Sequence, residues 1–480
     1  MKQRFIWVLA LLCTYLSMMA QPKLTFQEGK FKMMQLTDLH WEEGSEKAKQ
    51  TATLIQNMIA EEKPALVVLT GDIVTAHPAK EGWISIIGLM EKLAMPFVVT
   101  MGNHDAEFMS KEDIYNLLIA SPYYVGEKGE ADLTGMGNCV LPIATAEGKN
   151  GALLYFLDSN DYQPIQRLGQ YNWIQFDQIS WYRRTSEDFT KRNAGKPLPA
   201  LAFFHIPLRE YFNVLQRKDF FGTHEDDGIW AANINSGMFA AFIEKGDVMG
   251  MFVGHDHAND WVGLEAGLAV GYGRCSGWNA GSSIERGVRL FELYPGETRF
   301  NTWIRTAKGK EPTYYYPSAL TSQMEDSMTY LPALKVSPTQ QGVAFRYYEG
   351  KCKQLSDVQP SMQKKEGVMP YFSIDKAEVE DHFAFTFKSY IRIDKKGVYR
   401  FYTYSDDGSK LLIDGKLIVD NDGGHGARRR EGIVALEAGW HEIEVPYFEN
   451  YMGQVLEVGY VSKFFPECLI PQDVLFVHSK

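Results

Sequence analysis

The sequence predicts an α/β domain followed by a separate all-β sandwich domain. From about residue 30 to 258, short apolar runs alternate with segments whose apolar residues recur at helical spacing. This alternation is typical of βαβ units around a largely buried sheet. Beyond residue 343, segments of alternating polarity are joined by turns rich in Gly and Asp, which indicates an antiparallel β-sandwich. A length of 480 residues agrees with two or three domains.

Residues 1–20 have the layout of a cleavable signal peptide. Lys2 and Arg4 precede an apolar run from Phe5 to Leu16, and the small residue Ala20 follows. The run is too short to span a bilayer comfortably, and no later stretch of the sequence looks transmembrane. We therefore expect export, to the periplasm or the medium.

The composition limits the classes of function. With 45% hydrophobic and 13% aromatic residues, the chain has enough material for packed cores. Its net charge of −11 argues against nucleic acid as the main partner, because binding to the phosphate backbone needs a basic surface. An anionic substrate is still compatible with this charge, since bound metal ions can reverse its sign locally.

The N-terminal domain is predicted over residues 22–306. Six apolar runs predict its strands: FKMMQL, ALVVL, PFVVT, ALLYFL, ALAFF and VMGMFV. Helix-like segments such as SEKAKQTATLIQNMIAEEK and KEGWISIIGLMEKLA lie between them. Shorter strands follow in GLAVGYG and VRLFELY, and the domain ends around Ile304.

Five of the six runs are followed directly by polar side chains with metal-binding chemistry. Because ligands of open α/β sheets bind beyond the carboxyl ends of the strands, we expect these side chains to converge there. Glycines before three of them allow sharp turns and close approach of the backbone. The candidate metal ligands, in chain order, are Asp38, His40, Asp72, Asn103, His205, His255 and His257.

Carboxylate, amide and imidazole groups form a donor set suited to Zn, Mn or Fe rather than calcium. These ligands are too many for one tetrahedral ion, but they suit two ions that share a carboxylate. Two metal ions about 3.5–4 Å apart can activate a bridging hydroxide and stabilise an in-line displacement at phosphorus. Two divalent cations and the carboxylates of Asp38 and Asp72 together have a net positive charge. This net charge favours a substrate with a phosphate group.

In chain order, the motifs DLH, GD, GNHD, a lone His and GHDH resemble those of the calcineurin-like metallophosphoesterases. The phrases FFHIPL and FVGHDHANDW are similar to a purple-acid-phosphatase-like subgroup. The resemblance implies a four-layer αββα sandwich and assigns the ligands by motif position. Asp38, His40 and His257 would bind one ion, Asn103, His205 and His255 the other, and Asp72 would bridge them. His104 would be the catalytic acid or hydrogen-bond donor at the phosphoryl group, with Asp105 as a second catalytic residue that orients it.

The first motifs differ from those of purple acid phosphatases at two positions. Thr75 stands where that family has a tyrosine three residues after the bridging Asp, and His40 has no counterpart in its first motif. A ferric ion bound by tyrosinate is therefore not expected. The identity of the two divalent or trivalent ions stays open among Fe, Mn and Zn.

Residues 307–342 are predicted to form a linker, because Pro, Lys, Ser, Thr and Gln are common there and periodicity is lost.

After removal of the signal peptide four cysteines are left. Of these, Cys352 and Cys468 lie near the two ends of the C-terminal domain and form the most plausible disulfide.

The C-terminal domain, residues 343–480, resembles the β-sandwiches of the protective-antigen family. The resemblance rests on YYEG, GVYRFYTYSDDGSKLLIDGKLIVDNDGGHG and LEAGWHEIEVPYFE. Members of that family often bind glycans, some with calcium, which makes Asp406, Asp407 and Asp420 candidates for a glycan or calcium loop. The alternative is a packing or spacer role, since Asp and Gly are also the residues that tight turns need.

The predicted function is hydrolysis of a phosphate ester outside the cytoplasm by a hydroxide bound to two metal ions, with a phosphomonoester favoured over a diester. The alternative is a surface glycan-binding protein whose phosphoesterase domain has lost activity. The complete ligand set favours the enzyme, because a decayed site would be expected to lose ligands.

Overall fold

The structure is a computed structural model that describes residues 21–479, so the predicted signal peptide lies outside the described residues. The chain divides into two compact units, Met1–Tyr314 and Tyr315–Lys480. Within the part that the structure describes, no helix is long and apolar enough to cross a membrane.

Strands and helices alternate in the N-terminal unit, as the sequence predicts. All six apolar runs form strands. The strands are β1 (Phe31–Leu36), β2 (Leu66–Thr70), β3 (Phe97–Thr100), β4 (Cys139–Ala144), β5 (Asn150–Phe156), β6 (Ala200–Phe203), β7 (Phe220–Phe221), β8 (Val248–Val253), β9 (Val262–Glu265), β10 (Leu268–Tyr272), β11 (Gly287–Leu293), β12 (Phe300–Thr306) and β13 (Gly309–Lys310). The helices are α1 (Glu46–Glu62), α2 (Ala79–Lys92), α3 (Lys111–Ile119), α4 (Phe176–Arg192), α5 (Tyr211–Arg217) and α6 (Met238–Lys245).

Helix α1 shows how local sequence sets these elements. It begins after Ser45, whose side chain accepts a hydrogen bond from the amide of Ala48, and it ends at Lys63 in a left-handed conformation. Its buried face carries Leu54 and Ile55, which pack in one core cluster with residues of the first sheet. The amphipathic spacing of the sequence therefore gives both the helix and the face that it buries.

The N-terminal unit has two sheets in its centre. The first contains β12, β11, β1, β2 and β3 in that order, and the second contains β4, β5, β6, β8, β10, β9 and β7. The sheets face each other, because Phe291 on β11 lies 4.6 Å from Phe252 on β8 and 5.6 Å from Phe203 on β6, measured between ring centroids. Separate helix-lined cores cover the outer faces. The predicted four-layer sandwich, with mixed sheets, is confirmed.

The C-terminal unit is an all-β sandwich, as predicted. One sheet contains β16, β27, β19, β24, β21 and β22, with β17 beside β19 and β18 beside β17, and the other contains β23, β20, β25 and β26. Phe385 and Phe401, on the two sheets, share one core. The elements are β14 (Tyr314–Tyr316, at the unit boundary), β15 (Leu320–Thr321), α7 (Ser322–Ser327), β16 (Gln340–Gln341), β17 (Val343–Glu349), β18 (Gln363–Met369), β19 (Phe383–Ile393), β20 (Gly397–Asp406), β21 (Ser409–Ile413), β22 (Lys416–Asn421), β23 (Arg428–Leu436), β24 (Gly439–Glu449), β25 (Val455–Ser462), β26 (Phe465–Leu469) and β27 (Leu475–Val477).

The structure corrects the predicted linker over residues 307–342. Most of this segment belongs to the C-terminal unit, which begins at Tyr315. Leu320 packs with Val398 and Ala435, and Leu331 pairs with Leu436 in an isolated bridge. The segment forms short elements and isolated contacts rather than one long helix or strand. Its apolar residues therefore have no regular period.

The predicted disulfide between Cys352 and Cys468 is wrong. Both cysteines are free. Cys352 is buried in a small cluster with Tyr348 and Phe448, whereas Cys468 is exposed on β26. Their positions near the ends of the domain sequence therefore do not bring the two thiols together.

Candidate metal centre

Five strands from both sheets of the N-terminal unit deliver polar residues to one place. Strands β1, β2 and β3 of the first sheet run parallel, as do β6 and β8 of the second. The loops after these five strands carry all seven predicted ligands. Because the sheets face each other, their carboxyl edges together form the floor of one crevice.

The ligand atoms form two groups that share one carboxylate. Asp38, His40, Asp72 and His257 can point ligand atoms at one position, all within 4.8 Å of one another. Asp72 also forms such a group with His205 and His255.

Short distances join the members of the two groups. In the first, His257 Nε2 lies 3.5 Å from Asp38 Oδ1 and 3.2 Å from His40 Nε2. In the second, His205 Nε2 lies 3.2 Å from Asp72 Oδ2 and 3.3 Å from His255 Nδ1. The buried carboxylate of Asp72 is thus placed to bridge two neighbouring ions.

Backbone conformation contributes to this convergence. Asp38, His40, Asp72 and His255 all lie in the left-handed region, with φ of 53°, 43°, 52° and 77°. Non-glycine residues rarely adopt this conformation, and where they do the surrounding structure has to hold them in it. A Cβ at Gly71 would overlap the imidazole of His205, so the glycine allows the two loops to meet.

Three of the histidines have their second ring nitrogen fixed by a hydrogen bond. His205 Nδ1 lies 2.8 Å from the carbonyl oxygen of Thr70, and His257 Nδ1 lies 2.8 Å from that of Gly281. His40 Nδ1 lies 3.1 Å from the hydroxyl of Thr75, the residue at the tyrosine position of purple acid phosphatases. Such contacts set the tautomer and leave Nε2 free to bind an ion.

Burial and the two carboxylates shift the pKa values of the histidines in opposite directions. Burial lowers the pKa of His40 to about 4 and that of His255 to about 3, which favours neutral rings. Burial also acts on His205 and His257, but the carboxylates outweigh it: Asp72 raises the pKa of His205 to about 10, and Asp38 raises that of His257 to about 9. Metal ions would neutralise the same carboxylates and displace protons from these rings.

One further atom supports the fit. The side-chain oxygen of Asn103 is buried without a hydrogen-bond partner among the described residues. The amide nitrogen of Asn103 donates to the hydroxyl of Tyr162, at 2.9 Å, which leaves this oxygen as the free acceptor. An unpaired buried acceptor is costly, and a bound cation would satisfy it. The donor set and this free oxygen fit two ions of the Zn, Mn or Fe kind.

Asp105 has a different role from the predicted one. Its buried carboxylate accepts hydrogen bonds from the backbone amides of Asp72, Ile73, Val74 and Gly102. Burial, with Asp72 nearby, raises its pKa to about 7. Asp105 therefore holds the loop that carries Asp72, and it does not orient His104.

Glu107 orients His104 instead. Its carboxylate lies 2.8 Å from His104 Nδ1, and the hydroxyl of Tyr162 lies 3.3 Å from the same atom. The sequence analysis missed both residues. A signal for Glu107 exists, since it follows His104 by three residues, but nothing near Tyr162 in the sequence indicates its role.

An open cavity of about 320 Å³ lies above the two ligand groups. His104 is at its wall and about one third exposed, so it can reach a group bound there. The lining residues are Asp72, His104, Gln170, Tyr171, Trp230, His255 and His257. The size is at the lower end of small-molecule sites, which span about 300–1,000 Å³.

A separate group of three carboxylates lies in the C-terminal unit. Asp406, Asp407 and Glu449 can place oxygens within 4.8 Å of one another. Asp407 accepts hydrogen bonds from the amides of His425 and Asn450, while the Oε1 atom of Glu449 is buried without a partner. Burial, together with Asp407 and Asp406, raises the pKa of Glu449 to about 8.

Asp420, the third predicted residue of the glycan or calcium loop, does not belong to this group. It is exposed on β22, and its carboxylate lies 3.9 Å from the ammonium group of Lys410. Glu449, at the end of β24, takes the third position, because β24 runs beside β21, the strand that follows Asp407. The carboxylates that lie together are determined by pairing between strands far apart in the sequence. Proximity to Asp407 in the sequence therefore does not predict them.

Comparison with known proteins finds one family match in each unit. The calcineurin-like phosphoesterase family matches residues 31–259, and the PA14 domain family matches residues 340–473. The chain is 32% identical to "Probable inactive purple acid phosphatase 29" of Arabidopsis thaliana, over 58% of this chain and 81% of that protein. It is 26% identical to "Phosphatase DCR2" of Saccharomyces cerevisiae, over 63% of this chain and 58% of that protein. Among solved structures, a dimetal phosphatase from Danio rerio is 14% identical, with a TM-score of 0.44, over 60% of this chain and 99% of that one.

Fold and donor set together define a phosphoesterase domain with a candidate centre for two metal ions. The chain belongs to the calcineurin-like metallophosphoesterases and has purple-acid-phosphatase-like relatives. It also carries a C-terminal PA14 domain, a β-sandwich of the protective-antigen type. The family resemblance that the motifs indicated is thus confirmed.

Proposed function

We propose that the N-terminal unit hydrolyses a phosphomonoester. The observation that supports this most is the pair of ligand groups sharing Asp72 at the floor of a cavity that His104 borders. Bound there, two metal ions would supply activated water and stabilise charge on the phosphoryl group. The proposed location, outside the cytoplasm, rests on the signal-peptide layout of residues 1–20.

The residues around the cavity have separate tasks in this proposal. His104 donates a proton or hydrogen bond to the leaving oxygen, and Glu107 fixes the imidazole for that task through Nδ1. Asp105 holds the backbone that presents Asp72. Of the two ester types we propose a monoester, as the sequence analysis expects.

The name of the Arabidopsis relative includes the word inactive, so turnover by this protein is the decisive measurement. The test is phosphate release from a panel of monoesters, diesters and nucleotides by purified protein of known metal content. We expect release from monoesters with about two ions per chain and none after chelation. A metal-loaded protein that hydrolyses nothing in the panel would refute the proposal and favour the alternative, a glycan-binding protein with an inactive phosphoesterase unit.

As a second function, we propose that the C-terminal unit binds a glycan with the help of calcium. The supporting observation is the unpartnered, buried oxygen of Glu449 beside Asp406 and Asp407, an oxygen-only set of the kind that calcium prefers. A glycan array probed with and without calcium tests this. Glycan binding that requires calcium and is lost in Asp407→Asn would support the proposal. Glycan binding that persists without calcium and in Asp407→Asn would contradict it.

A further inference from the structure

Aromatic side chains border the cavity above the candidate metal centre. Trp230 lines the cavity and is 49% exposed, so a bound molecule can reach its ring. Tyr171 lines it as well, and its ring meets His255 edge-on at a centroid distance of 4.5 Å. We call Tyr171 and Trp230 the aromatic rim.

The loop that carries Trp230 is tied to the GHDH motif. The amide of Trp230 donates to the carboxylate of Asp256, with distances of 3.3 and 3.4 Å to its two oxygens. The amide of Ala258 donates to Asp226 at 2.8 Å. Asp256 lies between the ligands His255 and His257, so these bonds fix the position of Trp230 relative to the metal centre. The backbone of Trp230 is therefore anchored beside the metal centre, and its exposed ring extends from a fixed attachment point.

The segment that carries Tyr171 is also fixed. Tyr162 and Tyr171 pair across a short hairpin, and their rings stack with centroids 6.0 Å apart and planes 25° apart. The amide of Gln163 donates to the carbonyl oxygen of Gln170 at 2.7 Å. The hydroxyl of Tyr162 binds Asn103, which connects this wall to the metal centre as well. Both members of the rim thus have their backbones anchored to ligand loops.

The charges of the cavity limit what the rim can contact. Among the described residues that line it, none is Lys or Arg, so a second anionic group of a substrate would find no lysine or arginine there. Glu107, which contacts His104, adds negative charge close to the cavity. A flat, uncharged ring can instead stack on an exposed indole, which is a strong and sequence-tolerant mode of recognising nucleobases.

We propose that the aromatic rim makes the enzyme selective for phosphomonoesters whose leaving group carries an uncharged aromatic ring, as in a nucleoside monophosphate. The inference rests on the proposed hydrolytic function, since it assigns the part of the substrate that extends from the phosphate. In this arrangement the phosphate lies at the shared ligand groups, and the ring lies against Trp230.

Three substrates test the proposal: adenosine 5′-monophosphate, glucose 6-phosphate and glycerol 3-phosphate. All three are monoesters of primary alcohols, so the leaving oxygens are chemically similar and differences report on the rest of the molecule. We expect kcat/KM for the adenosine ester to exceed that for the glycerol ester. Trp230→Ala should lower this ratio by about 5–160-fold, the effect of losing one base–aromatic stack. Trp230→Phe should retain most of it.

Phe212→Ala is the matched control, because Phe212 is an exposed aromatic residue of the same unit that does not line the cavity. It should leave the ratio unchanged. A ratio that does not move in Trp230→Ala would overturn the proposal. A loss confined to glucose 6-phosphate would also overturn it, in favour of a sugar ring as the ligand.

A binding measurement separates this inference from the proposed function. Calorimetry with metal-loaded protein compares the affinities of the adenosine and glycerol esters without requiring turnover. A preference for the adenosine ester that depends on Trp230, in a protein that hydrolyses neither, would support the rim and refute the hydrolysis. If the protein hydrolysed both esters and bound them with equal affinity, the proposed hydrolysis would be supported and the role of the rim refuted.

Discussion

The two units each bring acidic residues together, but with different partners. In the N-terminal unit, Asp38 and Asp72 are surrounded by four histidines and an asparagine that come from five strands. In the C-terminal unit, Asp406, Asp407 and Glu449 form a group of oxygen donors alone. Nitrogen donors favour ions such as Zn, Mn and Fe, and an oxygen-only set favours calcium. The two candidate ion sites of the chain therefore differ in donor chemistry, one rich in nitrogen and the other made of oxygen alone.

Histidines also serve different ends in the two units. In the first, three histidines have one ring nitrogen fixed by a hydrogen bond and the other directed at the candidate metal position. In the second, His441 is buried, with Nδ1 2.6 Å from the carboxylate of Asp414 and Nε2 3.0 Å from the carbonyl oxygen of Glu437. Both of its nitrogens are occupied, so His441 supports the fold and has no free atom for a ligand.

The largest expected effect comes from the shared carboxylate. Asp72→Asn removes the charge that both ligand groups use, so we expect loss of nearly all turnover and of at least one metal ion per chain. Elemental analysis and phosphate release measure this. Asp420→Asn is the control, because Asp420 belongs to neither site, and it should change neither value. Normal turnover in Asp72→Asn would falsify the two-metal mechanism.

His104→Ala should separate binding from chemistry at the first site. His104 is not a predicted ligand, so the metal content should persist, while turnover falls by about 10²–10⁴-fold, as is usual for a lost acid–base group. The loss should be smaller for nitrophenyl phosphate, whose leaving group needs little protonation. An equal loss for all leaving groups would contradict the role as an acid and leave only positioning of the phosphate.

The second site should respond to calcium independently of the first. At calcium concentrations about 100 times Kd, binding should stabilise the native C-terminal unit by about 2.7 kcal/mol, which thermal unfolding detects. Glu449→Gln removes one oxygen charge and should abolish this stabilisation without changing turnover of small phosphate esters. If calcium raised Tm equally in both proteins, the ion would bind elsewhere.

The smallest effect concerns His441 and pH. Burial lowers the pKa of His441, but the hydrogen bonds to Asp414 and to the carbonyl of Glu437 outweigh burial and raise it above the usual 6.5. A raised pKa contributes stability that is fully present below the unfolded value and is lost as pH rises through the folded value.

The Tm difference between wild type and His441→Gln should therefore be largest near pH 6 and shrink as pH rises. For a unit of this size, each kcal/mol changes Tm by about 2–4 °C. Thermal scans across this pH range measure the difference. A Tm difference that does not depend on pH would show that the ion pair adds nothing beyond packing.

The strands follow from local sequence, and local spacing also predicts the seven candidate ligands, six of which the structure brings into two groups. A buried strand has a continuous apolar run, and a ligand such as Asp72 comes directly after it. The linker prediction was wrong for the converse reason. Leu320 and Leu331 bury themselves against distant strands, and no periodic pattern records single contacts of that kind.

The sequence by itself determined the order of elements, the two-domain organisation and the chemical types gathered at the sheet edge. Only the tertiary structure decided which groups touch: Asp105 on the backbone of the Asp72 loop, Glu107 on His104, and Glu449 rather than Asp420 beside Asp407. The physical reason is the difference between local and long-range interactions. Apolar periodicity and motif spacing are properties of neighbouring residues, whereas a hydrogen bond or a ligand group depends on ångström-scale distances set by the packing of whole sheets.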